Sequence, residues 1–273
     1  MTELSDRVRV FRQLHQQGCF VIPNPWDIGS ARALAQLGFK ALATTSAGFA
    51  WSMGHADHQV SLGATLEHLT VMSRAVDVPI NADFGGGYAV APEKVADHVT
   101  RTAGTGIAGL SIEDSTGDAS NPLFDFSLAL DRIKAARAAI DRSGSGVLLT
   151  ARSEGFVAGR PDIAETVRRL AAFADAGADC LYAPGIKTMA DIRAVVSAVA
   201  PKPVNVLVTS DFTNVAELAA AGVRRISVGG ALARAAWTAF LGAAREIAEH
   251  GTFASLSGTT SGQELNKLFT TSA

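Results

Sequence analysis

Short apolar runs alternate along this chain with longer segments whose apolar positions return every three to four residues. The short runs cover residues 20–22, 41–45, 79–83, 109–113, 147–152, 180–182, 204–208 and 225–228, and each predicts a strand. Helix-period segments between them cover 28–37, 93–103, 128–140, 162–176, 189–199 and 215–221. Ahead of the first run, Leu4, Val8, Phe11 and Leu14 recur at helical spacing and predict an amphipathic opening helix. Gly38, Gly177 and Gly222 each follow a periodic segment, where a helix C-cap would feed the next strand. Ala176-Gly177-Ala178-Asp179 and Ala221-Gly222-Val223-Arg224 repeat one helix-turn-strand device.

Strands that are apolar on both faces belong to a parallel sheet covered by helices. About eight strand-helix units favour a closed (β/α)8 TIM barrel over an open doubly wound sheet, and 273 residues match the usual barrel length of about 250. No linker-like composition interrupts the pattern before Thr252. The expectation is one barrel domain over 1–273 with an N-terminal helix, residues 252–273 forming a C-terminal tail. Segment 231–244 is apolar nearly all round, interrupted mainly by Arg234 and Thr238. A helix of that kind is buried on more than one side, which points to a subunit interface. Beyond it, 252–262 is rich in Ser, Thr and Gly and reads as loose, and 263–269 is short and amphipathic. That end is either a frayed tail or a strap onto a neighbouring subunit.

Composition narrows the classes. Apolar residues at 48% against 18% charged describe a soluble, well-packed chain. A net charge of −2, with no basic run or basic-aromatic stripe, argues against nucleic acid. No apolar stretch approaches the roughly 20 residues of a membrane span. The N-terminal stretch mixes acids, bases and glutamines without an apolar signal core. Cys19 and Cys180 both sit in apolar runs and read as core thiols of a reducing cytoplasm rather than a disulfide.

Chemistry gathers at three strand ends. Asp83 closes Val78-Pro79-Ile80-Asn81-Ala82, Glu113 closes Gly109-Leu110-Ser111-Ile112, and Arg152 closes Val147-Leu148-Leu149-Thr150-Ala151. In a barrel these ends share one mouth. Two carboxylates and a fixed guanidinium fork suit a hard divalent cation and an anionic substrate. A plain Glu113–Arg152 salt bridge would account for two of the three and leave Asp83 without a role. After Asp83, Gly85-Gly86-Gly87-Tyr88 lets backbone approach a ligand or simply makes a flexible turn. Asp57 is a lone loop acid, more often solvated than functional. His55 and His58 are three apart, a spacing zinc could use, but no third ligand is evident and solvated histidines are the better reading. Thr44-Thr45-Ser46-Ala47-Gly48 offers amides to an anion. Gly229-Gly230 opens the helix at 231, where a phosphate could sit or a tight turn is merely required.

Taken in order, these features resemble the isocitrate lyase / phosphoenolpyruvate mutase superfamily, from Pro25-Trp26-Asp27 to Val223-Arg224-Arg225-Ile226-Ser227-Val228-Gly229-Gly230. The superfamily's acidic-x-acidic-x-Gly-Tyr-Gly motif corresponds to Asp83 with Gly87-Tyr88, its Glu-Asp pair to Glu113-Asp114, its Ala-Arg dipeptide to Ala151-Arg152, and its loop Asp to Asp57. The resemblance implies a barrel whose last helix is exchanged between subunits in a tetramer, a dimer of dimers. It implies Mg2+, with Mn2+ as the alternative, held directly by Asp83 and through water by Asp57 and Glu113. The implied substrate is a 2-oxo acid or enolpyruvyl compound, its carboxylate on Thr45-Ser46-Ala47. Trp26, Asp83, Arg152 and Asn205 complete the expected substrate-binding set.

Departures from the pattern matter too. The second acidic position of the metal motif is Gly85. The Lys-Lys-Cys-Gly-His loop of isocitrate and methylisocitrate lyases is replaced by Ser115-Thr116-Gly117-Asp118-Ala119-Ser120-Asn121-Pro122, and the mutase's active-site His by Pro184. Asn121 stands where the mutase loop carries an Asn. The expected activity is a Mg2+-dependent lyase that cleaves a bond beside the carbonyl of a small 2-oxo acid, by C–C cleavage or decarboxylation, through an enolate. Arg152, Glu113 and Asn121 are its expected catalytic residues. Three other readings stay open: a C–P bond mutase or hydrolase, a non-catalytic 2-oxo acid binder, and a metal-free phosphate-binding barrel using Gly229-Gly230.

Overall fold

The computed structural model describes residues 3–270; residues 1–2 and 271–273, the outer ends of the expected domain and tail, lie outside the described residues. Eight strands form: β1 (Phe20–Ile22), β2 (Leu42–Ala43), β3 (Ile80–Asp83), β4 (Gly109–Glu113), β5 (Leu148–Arg152), β6 (Cys180–Tyr182), β7 (Val204–Leu207) and β8 (Arg225–Ser227). They run parallel in the order β1-β8-β7-β6-β5-β4-β3-β2. Pairing of β1 with β8 rules out the open sheet. Among the described residues no ladder forms between β1 and β2. The ring closes there through the Ala43 amide, which donates to the Pro23 carbonyl at 3.0 Å, and through Asn24 Nδ2, which donates to the Thr44 carbonyl at 3.1 Å. The expected (β/α)8 barrel is therefore what these residues build.

Helices α1 (Leu4–Leu14), α2 (Ile28–Gln36), α3 (Ser46–Ser52), α4 (Leu62–Ala75), α5 (Pro92–Ala103), α6 (Phe126–Ser143), α7 (Ile163–Asp175), α8 (Met189–Ala198), α9 (Val215–Ala220), α10 (Ala231–His250) and α11 (Gly262–Thr270) surround the strands. Asp162, Thr188 and Asn214 start α7, α8 and α9 by accepting the amide three residues on, which satisfies a donor the helix cannot. Gly177 ends α7 at φ 95, a left-handed turn in which a side chain would also meet Arg137 at 2.9 Å. α1 lies at the end where strands begin: its Phe11 is fully buried, and a Cβ on Gly109 would meet that ring at 2.6 Å.

Two stretches differ from the sequence pattern. The run at 41–45 supplies only a two-residue strand, because Thr45 turns out as the N-cap of α3, its Oγ1 accepting the Gly48 amide at 3.3 Å. The small residues of α3 carry no amphipathic period, which hid the helix. Segment 231–244 extends to His250 as α10, yet only Ala233 is buried within this chain, and Leu232, Phe240, Leu241 and Ile247 are exposed. Residues 252–256 are pinned rather than loose: the Glu246 carboxylate accepts from the Ala254 and Ser255 amides at 2.7 Å each and from Thr252 Oγ1 at 2.6 Å. α11 then packs on α2.

Candidate active site

Register brings the three strand-end charges together. Glu113 pairs across the ladder with Arg152, and Arg152 with Tyr182. Arg152 Nη1 donates to Asp83 Oδ1 at 2.7 Å, Nη2 lies 3.3 Å from Glu113 Oε2, and Nε donates to Glu154 Oε1 at 2.8 Å. The guanidinium also lies over the Tyr182 ring, 5.0 Å from its centroid. One cation thus faces three carboxylates. Burial opposes the charge on Arg152, but Glu154, Glu113 and Asp83 outweigh it and hold the guanidinium protonated. Burial pushes the Glu113 carboxyl up to about 8 against the pull of Arg152, and raises Glu154 in the same way.

Asp83 is fixed twice more: its amide donates to Thr44 Oγ1 at 2.9 Å, and its Oδ2 accepts the Ser46 amide at 3.0 Å. Thr45, Ser46 and Ala47 line the same cavity of about 450 Å3, as do Asp57, Asp83, Glu113, Arg152 and Asn205. Asp57 accepts the His58 amide at 2.9 Å. Trp26 is placed elsewhere, in a separate recess against Trp237 and Phe240 of α10. Asn121 is exposed; the 115–122 loop closes on itself through Thr116, whose amide donates to the Pro122 carbonyl at 3.0 Å and whose Oγ1 donates to the Asn121 carbonyl at 2.5 Å. The loop lends Ser115, Gly117, Asp118, Ala119 and Pro122 to the cavity wall. His55 and His58 are exposed and line different recesses. The Gly229 amide, offered above to a phosphate, donates instead to Asn24 Oδ1 at 2.8 Å. Cys180 is fully buried, its thiol pushed up by burial, and Cys19 is half-buried.

The donor set is all oxygen and in excess of its one guanidinium, which suits a hard divalent cation. Among the described residues no three His, Cys, Asp or Glu side chains already share a metal-sized gap. Asp83 and Glu113 are turned onto adjacent nitrogens of one guanidinium, so they converge on a common point.

The sequence profile of the phosphoenolpyruvate phosphomutase family matches residues 11–248. The chain belongs to that family. An uncharacterised protein of Mycobacterium tuberculosis H37Rv is 34% identical over 242 residues, which are 88% of this chain and 89% of that one. A solved structure from Burkholderia cenocepacia J2315, provisionally assigned as a lyase/mutase, superposes with a TM-score of 0.94 at 45% identity and 97% coverage of both chains. Oxaloacetate acetylhydrolase in complex with its product oxalate superposes at 0.85, 27% identical, covering 98% of this chain and 95% of that one. The chain is thus an enzyme of the isocitrate lyase / phosphoenolpyruvate mutase superfamily.

Several residues of this family member's cavity went unassigned in the sequence. Glu154 follows Arg152 by two, and Asp114 holds it there: Asp114 Oδ1 accepts the Glu154 amide at 2.8 Å, and Oδ2 accepts Arg169 at 3.0 Å. Asn81, Ser111 and Thr150 stand two before Asp83, Glu113 and Arg152, and a strand's period of two puts each on the same inward face, one rung deeper. That spacing was the available signal.

Proposed function

We propose that this chain is a divalent-metal-dependent lyase acting on a small 2-oxo acid, breaking a bond beside the carbonyl through an enolate. The observation that carries this reading is Arg152 with Asp83, Glu113 and Glu154 gathered at one barrel mouth at 2.7–3.3 Å. Asp83 would hold Mg2+ or Mn2+ directly, and Asp57 and Glu113 would do so through water. When bound, such an ion supplies Lewis-acid polarisation of the 2-oxo group. Arg152, fixed before reaction, places positive charge where the enolate oxygen develops. Thr45, Ser46 and Ala47, at the start of α3, orient the substrate carboxylate, and Asn205 lines the substrate cavity below them. Asn121 is retained as a catalytic residue only if the 115–122 loop turns it inward on binding, and Trp26 only as a contact at the cavity's rim.

A homo-oligomer is part of this reading, with α10 exchanged between subunits. Its exposed Leu232, Phe240 and Leu241 supply apolar surface for a second copy.

The C–P bond reading would call for a cation opposite the phosphonate, and segment 115–122 contains no Lys or Arg. The binder reading draws support from Gly85, which leaves the outer metal shell one carboxylate short. Calorimetry with Mg2+ and pyruvate or oxaloacetate, paired with NMR of C3 proton exchange in bound pyruvate, separates them. Exchange supports the lyase. Binding without exchange or cleavage selects the binder, and no metal-dependent binding of either acid refutes both.

A further inference from the structure

Below the three strand-end charges the barrel interior is not packed as barrels usually are. Bulky branched residues normally fill that space. Here the inward positions include Ala43, Asn81, Ser111, Asn205, Arg225 and Ser227, and the cavity reaches down among them. Two groups at this depth lack their complement. Asn81 is 4% exposed; its Nδ2 donates to the Ala82 carbonyl at 3.1 Å, and its Oδ1 has no partner. Arg225 is 3% exposed, and its guanidinium meets only neutral acceptors: Asn205 Oδ1 at 2.9 Å, Thr150 Oγ1 at 3.1 Å and His15 Nε2 at 3.4 Å. Among the described residues no carboxylate forms an ion pair with it.

The acceptor from below is a neutral ring. His15 Nδ1 sits 2.7 Å from the Phe11 carbonyl, which fixes the proton on Nδ1 and leaves Nε2 to accept from Arg225. The lumen floor therefore holds a buried guanidinium with no anion against it, which is costly unless an anion meets it. Arg152 above is already surrounded by three carboxylates, so a second negative group entering the cavity finds its free counter-charge at Arg225.

We propose that Arg225 is a specificity-determining residue of this site, receiving a second carboxylate of the substrate on the lumen floor, so that a four-carbon 2-oxo dicarboxylate is preferred. The inference rests on the 2-oxo acid reading given above. Chain length follows from the strand rise. Arg225 reaches Thr150, two residues below Arg152 on β5, a drop of roughly 6.6 Å. A four-carbon diacid spans about 6 Å between its outer oxygens at ~1.5 Å per bond. Asn205 orients the fork, its Oδ1 accepting from Arg225 Nε at 2.9 Å.

The test uses malate and 2-hydroxybutyrate, stable hydroxy acids that differ only in a carboxylate or a methyl at the fourth carbon. Calorimetry on the full-length protein with Mg2+ should give malate about 30-fold tighter binding, the worth of one charge-assisted contact. Arg225→Gln should bring the two ligands within about threefold while leaving oxalate, which does not reach the floor, unchanged. Should Arg225→Gln fail to fold, Arg225→Lys keeps the charge without the fork and should weaken malate alone, by about tenfold. Equal affinities in the wild type, or a preference that survives in the folded variant, overturns the assignment. Failure of oxalate to bind with Mg2+ removes the 2-oxo acid reading itself, and this inference with it.

Discussion

Arg152 carries one charge among three buried carboxylates, so its removal leaves Asp83, Glu113 and Glu154 facing one another. Breaking a buried pair in this way costs about 3–5 kcal/mol. Arg152→Met should lose that much in urea denaturation at pH 8 and much less at pH 5, where the raised carboxyls take up protons. Equal losses at the two pH values would refute the arrangement. On the proposed chemistry its turnover should fall about 100- to 1000-fold. A second titration belongs to the histidines. Burial, and then the charge of Arg225, lowers His15 to about 3, and burial lowers His68 to about 4. Both fold neutral. Above the unfolded histidine value of about 6.5 their full contribution is present, and it is lost as pH falls, since only the unfolded chain accepts the proton. By pH 5 the loss is about 2 kcal/mol for either histidine, at 1.36 kcal/mol per unit, because both folded values lie below 5. His15→Gln should flatten the fall in urea midpoint between pH 7 and pH 5; an unchanged slope would refute this.

The glycine-rich turn after β3 is held by an element far away in sequence. Arg132 of α6 is fully buried, lies 4.1 Å from the centroid of the Phe124 ring, and donates to the carbonyls of Gly86 and Ala89 and, at 2.9 Å, of Val90. Hydrogen bonds to a charged group contribute about 1.5–3 kcal/mol. Arg132→Met should therefore speed amide exchange across 84–90 while leaving β5 to β8 unchanged; a uniform increase would mean that the whole barrel had loosened. Elements also show what was legible beforehand. Strand positions and the charges at their ends were readable, because a buried apolar strand that stops on Asp83, Glu113 or Arg152 breaks its own pattern. Helix α3 was not, since Ser46-Ala47-Gly48 has no period and only the tertiary placement of Thr45 makes it a cap. Arg132 was hidden for the opposite reason: within α6 it reads as an ordinary solvent-facing position, and its carbonyl partners lie more than 40 residues away.

At the scale of the whole molecule, the unpaired apolar surface lies along α10. Light scattering should report a mass above the 28.3 kDa of one chain. A variant carrying Phe240→Glu and Leu241→Glu should shift it toward that single-chain value, and a wild type that runs as one chain would sink the exchange of α10. Among the described residues no helix is long and apolar enough to cross a membrane. The barrel outline was legible because eight units of similar length leave few ways to arrange a parallel sheet. The polar lumen was not, because Asn81, Ser111 and Thr150 each look like one stray polar residue until the strands are set side by side.

Among the described residues the barrel's ladders run unbroken from β2 round to β1, and the seam between those two strands is the gap they leave. Continuous ladders tie down the charged groups on β3, β4 and β5, whereas the seam, one strand away from β3, is stitched by the Ala43 amide and the Asn24 side chain. Thermal breathing should concentrate at that stitch, beside Thr44 and Gly229, and because Thr44 Oγ1 accepts the Asp83 amide, it would be felt first at Asp83 and least at Arg152.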